Sequence, residues 1–276
     1  MVLSYIAMGG IPYYLSQFRP DLSVFQNIDA LLFDKEGSLA DEFDKLFKSQ
    51  FTNPALLKDI VTHVGSKRSG MTRDELLKSL NQSSGGTFSD ALKALEKSRF
   101  ITAYTPFLED DTKYRVSDQF CYFYLHHVKK NSGHKSYWQN NYNSAAMNSW
   151  LGLAFEDVVF NHVEQVKQAL GISGVISRES SWNIKGDGDK NTGAQVDLII
   201  DRDDRVVNVC EMKFSRSEFQ MSSEYAKKIE ARVEQILTLN KGIGSVHPVL
   251  ITTYGLKHGA SSGVFSKVLT LDDLFV

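Results

Sequence analysis

Two carboxylates and a lysine fall on neighbouring, otherwise apolar segments in the second half of the sequence. Asp197 lies in AQVDLIID, and Glu211 and Lys213 belong to RVVNVCEMKF. Burying such charges is costly unless they are paired or bound to a cation. Because Glu211 and Lys213 are two residues apart, their side chains point to the same face of a strand. If the two segments form a hairpin that closes around residues 202–205, we expect Asp197 to reach that face as well.

This combination suits metal-dependent hydrolysis of a phosphodiester. Carboxylates are hard oxygen ligands for Mg²⁺ (or Mn²⁺), which binds the scissile phosphate and lowers the pKa of its water. Lys213 would orient or activate that water, or stabilise developing negative charge. Glu156, in the apolar helical segment GLAFEDVVF, is the candidate third carboxylate, whereas the adjacent Asp157 is expected on a solvated face.

The predicted site therefore consists of four residues. We interpret Glu156, Asp197, Glu211 and Lys213 as catalytic, and the three carboxylates among them as the metal ligands. The alternative for Glu211 and Lys213 is a simple pair on an exposed strand, without a catalytic role.

The same residues resemble a known arrangement. Glu156, Asp197 and the Glu-x-Lys triplet match the layout of the PD-(D/E)XK nuclease superfamily, with Val196 where proline is common before the aspartate. In addition, nearly the whole chain resembles the C-terminal part of a family of prokaryotic AAA-type ATPases. The segments that carry this resemblance are, in order, GGIPYYL, DEFDKLFKSQF, SRFITAYTPF, LGLAFEDVVF, GAQVDLIIDRDDRVVNVCEMKFS and LDDLF.

The resemblance has consequences for organisation and activity. In that family a P-loop ATPase core precedes a lid, a winged helix and a nuclease-like domain. It implies that residues 1–51 are a helical lid remnant and that the ATPase core, a partner in cis in full-length members, is missing here. We therefore expect no ATP hydrolysis from this chain alone.

Hydrophobic periodicity and turn signals predict the elements that position the site. We expect an α+β multidomain chain with a winged helix-turn-helix over 52–117, where Thr72 and Glu75 form a capping box. A helical connector over 118–150 leads to an α/β restriction-endonuclease-like domain with a central mixed sheet over 151–276. Within this last domain we expect the following elements: one helix over 151–171, a strand ending near Ile184, a glycine-rich turn over 186–193, the two strands of the site, a helix over 224–240 and a buried strand in HPVLITTYG.

Basic residues on two predicted helices are candidates for contacting nucleic acid. Lys93 and Lys97 lie on the third helix of the winged helix, but acidic residues interrupt that face, and winged helices also bind proteins. Lys227, Lys228 and Arg232 follow the second strand of the site, where a solvated helix face is the alternative.

Composition narrows the classes of protein. The 276 residues carry a formal net charge of −2, so attraction to nucleic acid must come from local patches or from a bound metal. Cys121 and Cys210 lie far apart, which argues against a disulfide scaffold or zinc site and predicts two buried thiols. No signal peptide or membrane-spanning run is present, so we expect a cytoplasmic protein without a membrane partner. An oligomer is left open.

The sequence thus supports two hypotheses. The first is a Mg²⁺-dependent nuclease, with DNA as its substrate, that forms the C-terminal module of an AAA-type ATPase. The alternative is a catalytically inactive module that binds DNA or protein and regulates that ATPase.

Overall fold

Residues 1–184, 194–239, 242–259 and 262–275 are described by a computed structural model with an α+β fold. The chain divides into two compact units. The first unit contains Met1–Tyr104 and Asp111–Trp150, and the second contains Thr105–Asp110 and Leu151–Val276. The glycine-rich turn predicted over 186–193 lies outside the described residues.

The first unit is mostly helical. Two π-helical segments, Asp29–Phe33 and Tyr124–Val128, directly continue its third and eighth helices. Its helices are α1 Val2–Met8, α2 Pro12–Ser16, α3 Val24–Ile28, α4 Glu42–Gln50, α5 Pro54–Gly65, α6 Arg73–Ser79, α7 Gly86–Lys97, α8 Gln119–Phe123, α9 Lys129–Asn131 and α10 Tyr137–Asn141.

Several of these helices begin at residues that are typical of helix starts. Pro54 occupies the first turn of α5, where its missing N–H costs nothing. At the start of α6, the Thr72 hydroxyl accepts a hydrogen bond from the Glu75 backbone N–H (3.2 Å), and the Glu75 carboxylate accepts one from the Thr72 N–H (2.9 Å). The predicted capping box is confirmed.

Helix α10 lies within the predicted helical connector, but the sequence does not predict where this helix begins. The buried carboxylate of Asp29 accepts hydrogen bonds from the backbone N–H groups of Trp138 (2.7 Å) and Gln139 (3.1 Å). Asp29 thereby caps the start of this helix from more than 100 residues away. No local pattern around residue 137 carries that signal.

A small antiparallel sheet accompanies helices α5 to α7. Its strands are β1 Met71–Thr72, β2 Ile101–Tyr104 and β3 Lys113–Val116, in the order β1-β3-β2. Ile101 pairs with Val116 and Tyr104 with Lys113, so β2 and β3 form an antiparallel hairpin.

The second unit is built on a five-stranded mixed sheet, as the sequence predicts. The strand order is β4-β5-β6-β7-β8. Strand β5 runs antiparallel to its neighbours β4 and β6, and β7 runs parallel to its neighbours β6 and β8. The strands are β4 Ser177–Ile184, β5 Ala194–Arg202, β6 Val206–Lys213, β7 Ser245–Thr252 and β8 Lys267–Leu269.

Helices cover both faces of this sheet. They are α11 Ala145–Asn161, which begins in the first unit, α12 Val163–Ala169 and α13 Ser223–Leu239. The prediction of one helix over 151–171 is wrong at His162, whose φ of −115° and ψ of 26° leave the helical region and separate α11 from α12.

Two apolar cores result from the alternation of side chains along the strands. On one face, Phe155 and Val159 of α11 pack with side chains from β5 and β6, namely Leu198, Ile200, Cys210 and Met212. On the other face, Ile236 of α13 packs with Val196, Ile199, Val207 and Val209. Both cysteines are buried free thiols, as predicted.

The loop between β2 and β3 belongs to the second unit rather than to the winged-helix segment predicted over 52–117. Within residues 105–110, the Phe107 N–H donates to the Ser181 carbonyl (2.9 Å) at the edge of β4. The Phe107 ring is 7% exposed and packs with Trp182 and Ile236. Burial of this aromatic ring explains the assignment of the loop.

In the part of the chain that the structure describes, no helix is both long and apolar enough to cross a lipid bilayer.

Candidate functional site

A bulge in β5 sets the position of Asp197. Ser180 pairs with Ile199, and Trp182 pairs with Val196, so β4 advances two residues while β5 advances three. The extra residue forms a β-bulge, a feature that often re-aims side chains next to functional sites. The Asp197 carboxylate accepts a hydrogen bond from the Met212 backbone N–H (3.2 Å), which ties it to β6.

Glu211 is the buried centre of the site. Along β6 it follows Val207 and Val209 at intervals of two, so it shares their face, which packs on α13. Glu211 is 2% exposed. Its Oε1 accepts a hydrogen bond from the Arg232 guanidinium and its Oε2 one from the Tyr225 hydroxyl, both from α13.

Lys213 completes the Glu-x-Lys triplet on the same face. Its Nζ lies 3.4 Å from Glu211 Oε2 and 5.3 Å from the centroid of the Tyr225 ring. Burial disfavours the charged ammonium, but the Glu211 carboxylate, followed by Tyr225 and Asp197, outweighs burial and raises the pKa of Lys213. Lys213 is therefore a permanent cation at neutral pH, suited to stabilising negative charge rather than to accepting a proton.

The ionised form of Asp197 is disfavoured by its surroundings. Burial and then the neighbouring Glu211 carboxylate raise the pKa of Asp197 to about 6, against the opposing effect of Lys213. Burial and then the Glu211 carboxylate also raise the pKa of the Tyr225 hydroxyl, so that it remains a hydrogen-bond donor to Glu211. Two carboxylates thus meet two cations, Lys213 and Arg232, in a partly enclosed space.

The donor atoms at Asp197 and Glu211 fit the chemistry of Mg²⁺ or Mn²⁺. Both are carboxylates, the hard oxygen ligands that these cations prefer. Burial and then the Glu211 carboxylate raise the pKa of Asp197, and a divalent cation would offset both effects. Against this, Arg232 and Tyr225 already engage both oxygens of Glu211. Within the described residues, no group of three or more His, Cys, Asp or Glu side chains is placed to hold a metal ion.

Glu156, the predicted third carboxylate of the site, lies on helix α11. It is a partly buried residue of α11, between Phe155 and Val158, which are fully buried. Its predicted role as the third metal ligand stays a prediction. The expectation that Asp157 is solvated is wrong, since Asp157 is 6% exposed; on this helix nearly every direction meets protein, which a stripe-based interpretation does not anticipate.

The predicted nucleic-acid contacts separate into two groups. Lys93 and Lys97 are exposed on α7, and Lys227 and Lys228 are exposed on α13. Lys228 forms an exposed ion pair with Glu224 (2.8 Å), the pattern of a solvated helix face. Arg232 is different, because it reaches into the site and contacts Glu211.

Tyr225 is the residue of this site that the sequence interpretation missed. A signal for it exists: Tyr225, Ile229 and Arg232 are spaced four and three residues apart, which places them on one face of a helix. Ile229 is fully buried, so that face is the one turned towards the sheet. In this pattern an apolar residue, Ile229, lies between two polar residues on one face of a helix, and the helix follows the charged strand β6. Such a pattern indicates that the two polar side chains extend over the strand.

No protein-family model matches the chain, and no curated protein is significantly similar to it. The proposals for function therefore depend on the residues and the geometry described above.

Proposed function

We propose that the second unit is a metal-dependent nuclease that hydrolyses phosphodiester bonds, with DNA as its substrate. The observation that carries this proposal is the meeting of Asp197, Glu211 and Lys213 at the same end of two paired strands, as the sequence predicts for such a site. The order of elements around them, helices α11 and α12, three antiparallel strands, helix α13 and a parallel strand, supports a restriction-endonuclease-like fold.

Asp197 and Glu211, with Glu156 as the predicted third ligand, would hold Mg²⁺ or Mn²⁺. When bound, the cation polarises the phosphate and lowers the pKa of a water molecule. Lys213 keeps its positive charge next to the carboxylates and would stabilise the additional negative charge of the transition state.

The first unit would position the substrate. Helices α5, α6 and α7 followed by the β2–β3 hairpin support a winged helix, with Lys93 and Lys97 exposed on its third helix. In full-length members of the family that the chain resembles, an ATPase core would act in cis.

The test is cleavage of supercoiled plasmid DNA by the full chain with Mg²⁺ or Mn²⁺, compared with a chelator. We expect Asp197→Asn and Lys213→Met to lower the rate by a factor on the order of 10² to 10³. Matched controls are Asp201→Asn, about 13 Å further along β5, and Lys267→Met at the exposed start of β8; both should cleave like the unmodified chain.

Equal cleavage by Asp197→Asn, Lys213→Met and the controls would reject the assigned site. One observation favours the alternative, a non-catalytic module that binds DNA or protein: Lys213 and Arg232 already balance the charges of Asp197 and Glu211 without a metal. Folded protein that shifts the fluorescence anisotropy of labelled DNA, yet does not cleave it with either cation, would support this alternative.

A further inference from the structure

Arg232 occupies the position on Glu211 that a metal ion would need. Its guanidinium approaches Oε1, while Oε2 is shared by the Tyr225 hydroxyl and the Lys213 ammonium. Among the described residues, the neighbouring Asp197 carboxylate accepts a single hydrogen bond, from the Met212 N–H. The two carboxylates of the site therefore differ: Asp197 is partly buried and bound by a backbone N–H, whereas Glu211 is already engaged by a cation.

A metal ion and the Arg232 guanidinium compete for Oε1 of Glu211. A carboxylate as deeply buried as Glu211 needs a compensating cation, and Arg232 supplies it. Mg²⁺ binds carboxylate oxygens at about 2.0–2.1 Å, which leaves no room for a guanidinium N–H directed at the same lone pairs. Coordination of Glu211 through Oε1 requires Arg232 to move away.

The position of Arg232 permits that movement. Its side chain is 21% exposed, compared with 3% for Glu211, so the guanidinium lies at the edge of the site and not beneath it. It is carried by α13, whose Lys227 and Lys228 are exposed to solvent. A guanidinium released from Glu211 is a planar, permanently charged donor that matches a phosphate group.

We propose that Arg232 is a positioning residue that exchanges partners: it holds Glu211 while the site is free of metal, and moves to a substrate phosphate when a divalent cation takes its place. The proposal rests on the proposed function, in that Glu211 is taken as a metal ligand. Its consequence is coupling, because metal binding frees a phosphate-binding group and phosphate binding removes a competitor of the metal. Metal and nucleic acid then strengthen each other's binding.

The test compares Arg232→Met with the matched variant Lys267→Met, which removes the same charge from an exposed position at the start of β8 in the same unit. Mn²⁺ is titrated into each substrate-free full chain by calorimetry. We expect Arg232→Met to bind Mn²⁺ at least about fivefold more tightly than the unmodified chain, and Lys267→Met to be unchanged. With Ca²⁺ present, Arg232→Met should bind a DNA duplex more weakly than either.

Equal or weaker Mn²⁺ binding by Arg232→Met would overturn the exchange, as would an equal gain in both variants, which would indicate general electrostatics. Undetectable Mn²⁺ binding in every chain would overturn it too. If Arg232→Met does not fold, Arg232→Lys serves in its place: it keeps the charge, loses the planar pair of donors and should also bind Mn²⁺ more tightly, by a smaller factor.

The cleavage assay fails or succeeds independently of this titration. Tighter Mn²⁺ binding by Arg232→Met without any plasmid cleavage would support the exchange and reject the nuclease. Cleavage that depends on Asp197 and Lys213, with unchanged Mn²⁺ affinity in Arg232→Met, would support the nuclease and reject the exchange.

Discussion

At the scale of single residues, the environment of Asp197 suits the proposed cation binding but lowers the stability of the folded chain. A carboxylate at a bulge beside the buried Glu211 is favourable for holding a divalent cation but unfavourable in its absence, as the raised pKa of Asp197 indicates. Functional sites commonly contain such strained electrostatics, which the rest of the fold must offset. The unfavourable environment of Asp197 predicts a change in the free energy of unfolding, which can be measured whether or not the protein is an enzyme.

Asp197→Asn should increase the free energy of unfolding at pH 8 in metal-free buffer, by on the order of 1–3 kcal/mol. In the folded chain the pKa of Asp197 is about 6, above its ordinary value of 3.8. The destabilisation is therefore complete above pH 6 and disappears as the pH falls below about 4. Urea denaturation at pH 8 and pH 4 measures the difference.

Asp203→Asn, in the exposed turn between β5 and β6, is the control for this measurement and should change stability little at either pH. An Asp197→Asn chain that is less stable than the unmodified chain at pH 8 would contradict the electrostatic account of the site.

At the scale of elements, the site depends on how α13 lies across β6. Tyr225, Ile229, Arg232 and Ile236 follow each other at intervals of four, three and four residues, and so form one stripe along the helix. The two isoleucines are fully buried and fix the helix on the sheet, while the two polar residues reach Glu211. Packing by the apolar members of the stripe is what places the polar members.

The loop of residues 105–110 is an element whose attachment can be tested. Phe107→Ala should lower the stability of the second unit by about 3–5 kcal/mol, because it removes a buried ring from the core that contains Trp182 and Ile236. Urea denaturation followed by fluorescence measures the loss.

Leu108→Ala provides the matched control, since Leu108 is the next residue of the same loop and is 54% exposed. It should leave the midpoint of unfolding nearly unchanged. Equal effects of the two substitutions would mean that the Phe107 ring does not contribute as a core residue.

At the scale of the whole molecule, one titratable group in each unit, Asp197 and His127, is expected to change stability with acid in opposite directions. In the second unit, Asp197 disfavours folding only above about pH 4. In the first, burial and then the neighbouring His126 lower the pKa of His127 to about 3. Among the described residues, neither ring nitrogen of His127 has a hydrogen-bond partner, and the ring packs against Trp150 with centroids 4.3 Å apart.

His127 should make the first unit less stable as the pH falls. The unfolded chain protonates this imidazole near pH 6.5, whereas the folded chain does so only near pH 3. Its contribution to stability is thus complete above pH 6.5 and is lost progressively between pH 6.5 and pH 3, amounting to about 2 kcal/mol by pH 5. Urea denaturation across this interval measures the slope.

His127→Leu should reduce that slope, whereas His134→Gln, at an exposed histidine of the same unit, should keep it nearly unchanged. Identical slopes for His127→Leu and the unmodified chain would show that His127 is not held neutral by burial.

Features whose energies depend on residues close along the chain can be predicted from the amino-acid sequence alone. The capping box of Thr72 and Glu75 and the hairpin that brings Asp197 to Glu211 and Lys213 follow from local spacing and turn chemistry. These features are fixed by hydrogen bonds and alternation over a few residues. They include three of the four residues predicted for the site.

Which distant groups share a buried environment becomes known only from the packing of the folded chain. Arg232 and Tyr225 reach Glu211 because α13 packs on one particular face of the sheet, Asp29 caps α10 from the other end of its unit, and Phe107 joins a core far away in sequence. Each contact depends on the packing of apolar surfaces that many sequences share, so its partner cannot be identified from the pattern of nearby residues.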